Sequence, residues 1–380
     1  MVRLRHSLNG WSLALVLLLL APEAASACLL VAPGRAPTLE GIRVTARRQS
    51  FLVGGREVPG WDARMLLAYD VVPEGQTIGI VFPVDEGVGV EVESQEGAEI
   101  ASTLDWIAQV TEPVIHQTRD TSCQGCDVLD PVLPPPPIED VVWRTGWDAG
   151  GYRIDATRSV AGLEAWLEAN AFVLPLATEE ALLLALAEGR QVVLITATPE
   201  RGPAALQPIR IRAPGPLDLP LSLASSCGDR TLEITLLAGA PEPATVEGWD
   251  VIYLDEIDRE LFRDLPGLPG VYDRLTSDHR GELFVVEGVL DLEGEELIDL
   301  SWDPLVDELL GSVGWLTRLR ARVNAADLEH DVELVLDPDG HPLSNQLDLR
   351  PDPEAHGASI SGEWLFVALA LGLRFARRRR

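Results

Sequence analysis

The sequence predicts an α+β fold with a mainly antiparallel sheet, a few short helices and two lobes. Three observations support this prediction. Many short segments alternate apolar and polar residues with the period of a half-buried strand. Turns rich in glycine, proline and aspartate separate these segments, and only a few stretches repeat apolar residues at helical spacing. Strands that are not strictly interleaved with helices are typical of antiparallel sheets.

The predicted strands follow one another at short intervals along the chain. In order, they cover residues 64–71, 77–83, 88–93, 191–198, 207–212, 219–224 and 231–237. Pro73-Glu74-Gly75 separates the first two strands, and Cys227-Gly228-Asp229 separates the last two. The second of these turn sequences is typical of a hairpin turn.

Helices are predicted from apolar spacing together with start and stop signals. They cover residues 102–110, 159–170 and 179–188, and a fourth begins at Asp303-Pro304 and ends at Gly311. In the second helix, Ser159 is the expected N-cap. Leu163, Trp166 and Leu167 form one apolar face, so we expect this helix to pack into the core. In the third helix, Thr178 is the expected N-cap.

Four consecutive prolines, Pro134–Pro137, mark a break in the chain. A proline run favours extended polyproline II structure and cannot donate hydrogen bonds to a sheet, so it predicts a linker. The predicted division is a signal peptide at 1–27, a β-rich lobe at 28–130, the linker at 131–140, an α+β lobe at 141–355 and a tail at 356–380.

The charge of the chain excludes several classes of function. Among its 380 residues, 60 acids oppose 30 bases, and the formal charge is −30. This balance argues against a nucleic-acid partner, because a phosphate backbone needs a basic surface. All the bases are arginine, so Schiff-base lysine chemistry and a P-loop lysine are excluded.

The N-terminus has the features of an export signal. Arg3 and Arg5 precede the unbroken apolar run Leu13–Ala21, and the small residues Ala25-Ser26-Ala27 follow. This order predicts cleavage between Ala27 and Cys28. Lipidation of Cys28 is the alternative, since a cysteine then stands first in the mature chain.

The C-terminus predicts a membrane anchor or a sorting signal. An apolar segment from Trp364 to Leu373 is followed by the arginines Arg377, Arg378, Arg379 and Arg380. Ten helical residues rise about 15 Å, which is half of a bilayer core. The positive-inside rule would hold the arginines in the cytoplasm and leave the body outside. The alternative is an amphipathic helix packed on the body.

Four cysteines, Cys28, Cys123, Cys126 and Cys227, remain after the predicted cleavage. An even number in an exported protein suggests disulfides, with three possible connectivities. The spacing of Cys123 and Cys126 also occurs in redox pairs, but surrounding acids and a proline run disfavour the helix that such chemistry needs. A structural disulfide is therefore favoured over redox catalysis, and over a four-cysteine zinc site.

Catalytic and metal-binding motifs give little support to an enzyme. The chain has no Gly-x-Ser-x-Gly elbow, no paired histidine motif and no glycine-rich phosphate loop. Asp337-Pro338-Asp339-Gly340 could begin a calcium loop, but a hairpin turn is the better interpretation. The alternative function is an extracytoplasmic hydrolase that uses scattered acids such as Asp255 and Asp258 with His279. No cofactor or metal is predicted.

Several ordered segments resemble domain-of-unknown-function family 2330. They are Ser159–Phe172 (SVAGLEAWLEANAF), Phe82-Pro83-Val84, Leu104–Pro113 and Leu316-Thr317-Arg318-Leu319. The resemblance covers most of the chain from about residue 60 to about residue 335. It implies an exported bacterial protein without assigned activity, and it transfers no site residues.

Together these features predict an exported cell-envelope or surface protein with a structural or binding role. We expect the tail to contact a membrane or sorting machinery. The sequence identifies no protein or small-molecule partner.

Overall fold

The computed structural model describes residues 29–33, 37–69, 76–93, 97–116, 151–198, 207–227, 230–265, 267–292, 304–310 and 314–348. These residues confirm the predicted α+β fold with mainly antiparallel sheets.

The largest element is an eight-stranded mixed sheet. From one edge to the other it contains β13 (Asp250–Tyr253), β14 (Leu283–Asp291), β15 (Trp315–Asn324), β11 (Thr231–Ala240), β2 (Leu39–Val53), β3 (Arg56–Tyr69), β9 (Ile209–Ala213) and β5 (Gly89–Val92). Two neighbouring pairs, β13 with β14 and β11 with β2, are parallel. The other neighbours are antiparallel.

Three smaller sheets complete the described strands. An antiparallel four-stranded sheet contains β1 (Leu30–Val31), β4 (Ile78–Val84), β8 (Gln191–Thr198) and β7 (Gly151–Thr157). A three-stranded sheet contains β10 (Leu217–Leu219), β16 (Val332–Leu336) and β12 (Ala244–Glu247). A parallel pair is formed by β6 (Val114–His116) and β17 (Gln346–Asp348).

The chain divides into two units that differ from the predicted lobes. The larger unit holds the described residues of 29–113 and 151–345, and the smaller unit holds β6 and β17. The eight-stranded sheet takes β2, β3 and β5 from the predicted first lobe and its other strands from the predicted second lobe. Because β2 pairs directly with β11, the boundary at 131–140 does not divide the described sheets. The proline-rich segment itself lies outside the described residues.

The described helices are short. They are α1 (Gly97–Val110), α2 (Val160–Asn170), α3 (Leu176–Ala187), α4 (Arg259–Asp264), α5 (Gly267–Asp278) and α6 (Pro304–Leu310). Short 3-10 helices cover Leu221–Cys227, Leu254–Glu256 and Ala325–Asp327.

Helix α2 confirms the predicted cap and core face. The Ser159 side chain accepts a hydrogen bond from the Gly162 backbone N–H. Trp166 and Leu163 are buried, and the Trp166 ring lies 5.0 Å from that of Phe172. A β-carbon on Gly79 of β4 would meet both rings at 2.7 Å. The helix therefore packs closely over the four-stranded sheet at a position that only glycine allows.

One predicted strand and one predicted helix cap are wrong. Residues 219–224 do not form a strand, because β10 ends at Leu219 and Pro220, which lacks an N–H, leads into a 3-10 helix. The N-cap of α3 is Pro175, while Thr178 is buried inside the first turn. Proline is tolerated there because its φ of −61° is compatible with the extended backbone of an N-cap, whose N–H makes no intrahelical hydrogen bond.

The two faces of the eight-stranded sheet have different chemistry. One face is apolar and buried, and it includes Ile42, Val44, Ile234, Leu236, Leu319 and Ala321. The opposite face carries charged side chains together with Leu66, Leu237 and Leu316. Helices α1 and α6 pack on these three leucines through Leu104, Ile107 and Leu309, among others. Charged residues of this face are therefore enclosed between the sheet and the helices.

Candidate functional site

The candidate site is a network of arginines and carboxylates on the helix-covered face of the eight-stranded sheet. Cross-strand partners place these side chains in rows. The rows are Arg320, Thr235 and Arg43; Arg322, Glu233 and Gly41; Thr45, Arg64 and Arg210; and Arg47, Asp62 and Arg212. Register partners share a face of a sheet, so the charged groups lie side by side over neighbouring strands.

Glu287 of β14 is the centre of the first cluster. Its carboxylate is fully buried and accepts hydrogen bonds from the Tyr272 hydroxyl and the Arg318 Nε. Arg318 Nη1 donates to the Ala108 carbonyl at 2.6 Å and to Thr111 Oγ1 at 3.0 Å. The pair therefore joins two strands to α5 and to the end of α1.

Arg320 extends this cluster toward β11. Its guanidinium donates to Glu233, and its Nη1 lies 3.8 Å from Glu287 Oε1 and 3.5 Å from Glu112 Oε1. Burial alone would lower the pKa of Arg320, but the carboxylates of Glu287 and Glu233 outweigh this and raise its pKa. Burial and the adjacent Glu287 raise the pKa of Tyr272 well above its ordinary value, so the hydroxyl stays protonated and donates.

Arg43 of β2 forms a partly buried contact with Asp105 of α1. Burial lowers the pKa of Arg43 and raises that of Asp105, although each charge favours the other. Arg318 and Glu233 also act on Arg43 electrostatically. Arg43 thus links the Glu287 cluster to helix α1.

Asp62 of β3 is the centre of the second cluster. Arg210 donates to both of its oxygens in a bidentate contact, with Nε to Oδ1 at 2.8 Å and Nη2 to Oδ2 at 2.7 Å. Arg64 Nη1 and Arg47 Nη2 lie 3.3 and 3.4 Å from Oδ2. Burial alone would raise the pKa of Asp62, but these three arginines outweigh it and lower the pKa.

The outer carboxylates of the second cluster are more accessible. Arg64 is buried and contacts Glu93 and Glu308, each at 3.4 Å. Arg210 Nη1 lies 3.3 Å from Glu91, which is half exposed. Through Glu308, the second cluster reaches helix α6. Both clusters therefore tie a covering helix to the sheet.

This arrangement is suited to holding strands and helices in register. Each central carboxylate already accepts from two or more donors, and the central arginines contact several acids. Arginine fits such sites because its planar fork makes bidentate contacts and it stays charged when buried. Among the described residues, no group of three or more His, Cys, Asp and Glu side chains is arranged to hold a metal ion.

The residues of the hydrolase alternative make separate local contacts. Asp258 is the N-cap of α4, where its Oδ1 accepts from the Glu260 N–H at 2.9 Å. His279 Nδ1 lies 2.9 Å from Asp250 Oδ2. Asp255 instead lies 3.5 Å from His341 Nε2. Each of the three predicted residues therefore has a different local partner.

Asp337 forms a turn, but not the hairpin turn that was predicted for the Asp337–Gly340 segment. Its Oδ1 accepts from the Asp339 N–H, and its carbonyl accepts from the Gly340 N–H. Its Oδ2 accepts from the hydroxyl of Tyr253, whose ring stacks on His341. Burial and the Asp337 charge raise the pKa of Tyr253 to about 12. The preceding strand β16 pairs with β10 and β12, so this turn does not close a hairpin.

Several predicted sites lie outside the described residues. They are the cleavage site at Ala27 and Cys28, the cysteines Cys123 and Cys126, and the tail residues Trp364, Leu373, Arg377, Arg378, Arg379 and Arg380. Cys227 ends a 3-10 helix, and its pairing stays a prediction. In the part of the chain that is described, none of the helices has the length and hydropathy needed to cross a bilayer.

No family model, curated protein or solved structure matches this chain. The resemblance to domain-of-unknown-function family 2330 therefore stays a prediction.

Sequence reasoning missed the buried network, although the chain carries a signal for it. Arg318, Arg320 and Arg322 alternate with apolar residues along β15, and Arg210 and Arg212 do so along β9. Such alternation is ordinarily taken as a polar face in water. Arginines also alternate with apolar residues in β2 and β3. When several such strands lie in one sheet, their arginines can share a face, and this repeated pattern was the signal for a charged network.

Proposed function

We propose that this chain is an exported cell-envelope or surface protein with a structural or binding role. Export is supported by the ordered N-terminal signal, from Arg3 and Arg5 through Leu13–Ala21 to the small residues before Cys28. The apolar segment from Trp364 and the arginines that end the chain support an anchored or sorted form.

The observation that carries the non-catalytic role is the mutual pairing of the buried charges. Asp62 and Glu287 are fully buried, and each binds several arginines or a tyrosine rather than facing open space. The arginines around Asp62 lower its pKa, so this carboxylate stays ionised and is a poor proton donor. These residues therefore suit a rigid scaffold better than general acid or base catalysis.

The hydrolase alternative has weaker support. It needs acids and a histidine that converge on one point. Asp258 is occupied as a helix cap, while Asp255 and His279 contact different partners. A rigid scaffold that presents its outer surface to a partner agrees better with these contacts.

Export is tested by expressing the full chain in a Gram-negative host and measuring the intact mass of the protein in each fraction. We expect the mature chain to begin at Cys28 outside the cytoplasm. Leu17→Arg, which interrupts the apolar run, should keep the chain in the cytoplasm, whereas the matched Leu17→Ile should not. Retention of Met1 in the wild-type product would overturn the export proposal.

The tail is tested separately. Deleting residues 364–380 should release soluble, folded protein from the envelope, because the apolar segment and the arginines that resist translocation are removed together. If the truncated chain unfolds, the tail packs on the body and the anchoring proposal is wrong.

A further inference from the structure

Acidic side chains from two different sheets contact the same arginine. Val84 of β4 pairs with Gln191 of β8. The next residue beyond each of these, Asp85 and Arg190, therefore lie side by side at the ends of the two strands. Arg190 Nε lies 3.0 Å from Asp85 Oδ1, and Arg190 Nη2 donates to Asp218 Oδ2 of β10 at 3.2 Å. One guanidinium therefore joins the four-stranded sheet to the three-stranded sheet.

The carboxyl groups of Asp85 and Asp218 are also joined directly by a side-chain hydrogen bond. Two ionised carboxylates cannot form such a bond, because all of their oxygens are acceptors. A bond between them needs one proton, which turns one of the two groups into a donor. The contact between Asp85 and Asp218 is therefore a link between the two sheets that depends on a proton, and it adds to the link through Arg190.

Further acids lie in line with Asp218 across the three-stranded sheet. Asp218 pairs with Glu333 of β16, and Glu333 pairs in turn with Glu247 of β12. Register partners share a face of the sheet, and like charges directly opposite one another are destabilising. Asp331 adds negative charge that acts on Asp218, although its Oδ1 also accepts from the Ser222 N–H at 2.9 Å. The surroundings of Asp218 therefore favour its neutral, protonated form.

We propose that Asp218 and Asp85 form a pH-sensitive clamp, which fastens β10 to the end of β4 when the two carboxyl groups share a proton. When both groups are ionised their charges repel, and Arg190 bridges them. As the pH falls, Asp218 takes up a proton from water and donates it in a hydrogen bond to Asp85. The charge of the pair then falls from two negative charges to one, and Arg190 stays bound to the remaining carboxylate. The clamp does not depend on export.

The titration of the cluster has the direction that the clamp requires. Burial, followed by the charge of Asp85, raises the pKa of Asp218. Burial and the charge of Asp218 likewise raise the pKa of Glu333. When the pKa in the folded chain is above that in the unfolded chain, stability is lowest above the folded value and rises as the pH falls through it. Mild acid should therefore tighten the contact between the two sheets.

Urea unfolding of the full chain between pH 7 and about pH 4.5 tests the energetic effect of the clamp. Asp218→Asn keeps the size of the side chain and offers Asp85 an amide donor at every pH. The ratio of its folding equilibrium constant to that of the wild type should fall about threefold over this range, because only the wild type gains the clamp in acid. The matched control is Asp278→Asn in α5, an exposed aspartate that contacts Arg274, and its ratio should stay roughly constant.

Hydrogen exchange shows where in the fold the effect occurs. In the wild type, protection of the backbone amides of Leu217–Leu219, corrected for the intrinsic effect of pH on exchange, should rise about threefold over the same range. In Asp218→Asn this protection should stay constant. Arg190→Gln removes the charge that holds the ionised pair, so it should enlarge the pH dependence of the protection.

NMR of the carboxyl carbons in isotope-labelled protein follows the proton itself, with Asp218→Asn used for assignment. Asp218 should titrate above its ordinary value of about 3.9. Asp85→Asn should lower the pKa of Asp218, because it removes the neighbouring charge and the acceptor of the shared proton. A residue with a purely structural role would not respond in this way.

Three results would overturn the clamp. Asp218 could titrate at or below its ordinary value, or the stability ratio for Asp218→Asn could stay constant with pH. The titration of Asp218 could also be unchanged in Asp85→Asn, which would show that burial sets its pKa without a shared proton.

Discussion

Replacing Glu287 with glutamine tests the energetic role of the buried network. Glu287→Gln keeps the size of the side chain but removes the charge that faces Arg318 and Arg320. Arg320 retains Glu233 and Glu112, whereas among the described residues Arg318 retains the neutral acceptors Ala108 O and Thr111 Oγ1. A buried charge that loses its partner costs about 3–5 kcal/mol. We expect the free energy of unfolding to fall by about that amount.

The measurement is urea unfolding at pH 7, in which the midpoint should fall while the slope stays constant. The control is Asp278→Asn, which removes the exposed i,i+4 contact with Arg274 and should cost about 0.3–0.5 kcal/mol. A second variant, Glu287→Leu with Arg318→Leu, removes both charges and should recover part of the lost stability. If Glu287→Gln behaves like the surface control, Glu287 does not compensate the buried arginines and our reasoning is wrong.

Three further predictions concern acid stability, one histidine and one core tryptophan. The pKa of Asp62 is lowered in the fold, so its contribution to stability is complete above its ordinary value of about 3.9 and is lost as the pH falls through the lowered value. The free energy of unfolding of Asp62→Asn should therefore fall less between pH 6 and pH 2 than that of the wild type. Urea midpoints measured over this range would show the difference. The hydrogen bond to Glu282 raises the pKa of His330, so a proton titration followed by NMR should give a value above the ordinary 6.5. Any stabilisation by this exposed pair is present below pH 6.5 and is lost as the pH rises through the raised value, and an unchanged titration in Glu282→Gln would contradict the assignment. Trp166→Ala should cost about 3–5 kcal/mol, because it empties the site between Phe172 and Gly79, and an unchanged melting temperature would exclude a core role.

Short-range sequence patterns correctly predicted the strands and helices whose limits are set by neighbouring residues. Strand β8 has the predicted bounds, 191–198, because its apolar run stands between clear turn residues. Helix α2 begins after Ser159 as expected, since an N-cap followed by an apolar face is encoded within a few residues. Helix α5 was not predicted, since its start at Gly267 with Pro269 in the first turn is a weak helix signal. Tyr272 and Asp273 of this helix bond to Glu287 and Arg322 of the sheet. These tertiary contacts stabilise the helix, and they are not visible in its own sequence.

The candidate site could not be predicted because it depends on pairing between distant strands. Arg318 and Glu287 are 31 positions apart, and Arg210 and Asp62 are 148 positions apart. An arginine that alternates with leucine looks the same whether its face meets water or a covering helix. In this fold the face is covered because α1 and α6, from other parts of the sequence, pack on it.

The parallel pairing of β2 with β11 also determines when the fold can be completed. Gly41 pairs with Glu233, roughly 190 positions later. At a synthesis rate of about 5–20 residues per second, the β2–β3 hairpin waits roughly 10–40 s for its neighbour to be made. During that interval one edge of β2 is open, and for most of it Asp62 of the hairpin lacks its bidentate partner Arg210 of β9. Non-local pairing of this kind slows folding in general, and an unpaired strand edge such as that of the nascent hairpin is a site where aggregation can begin.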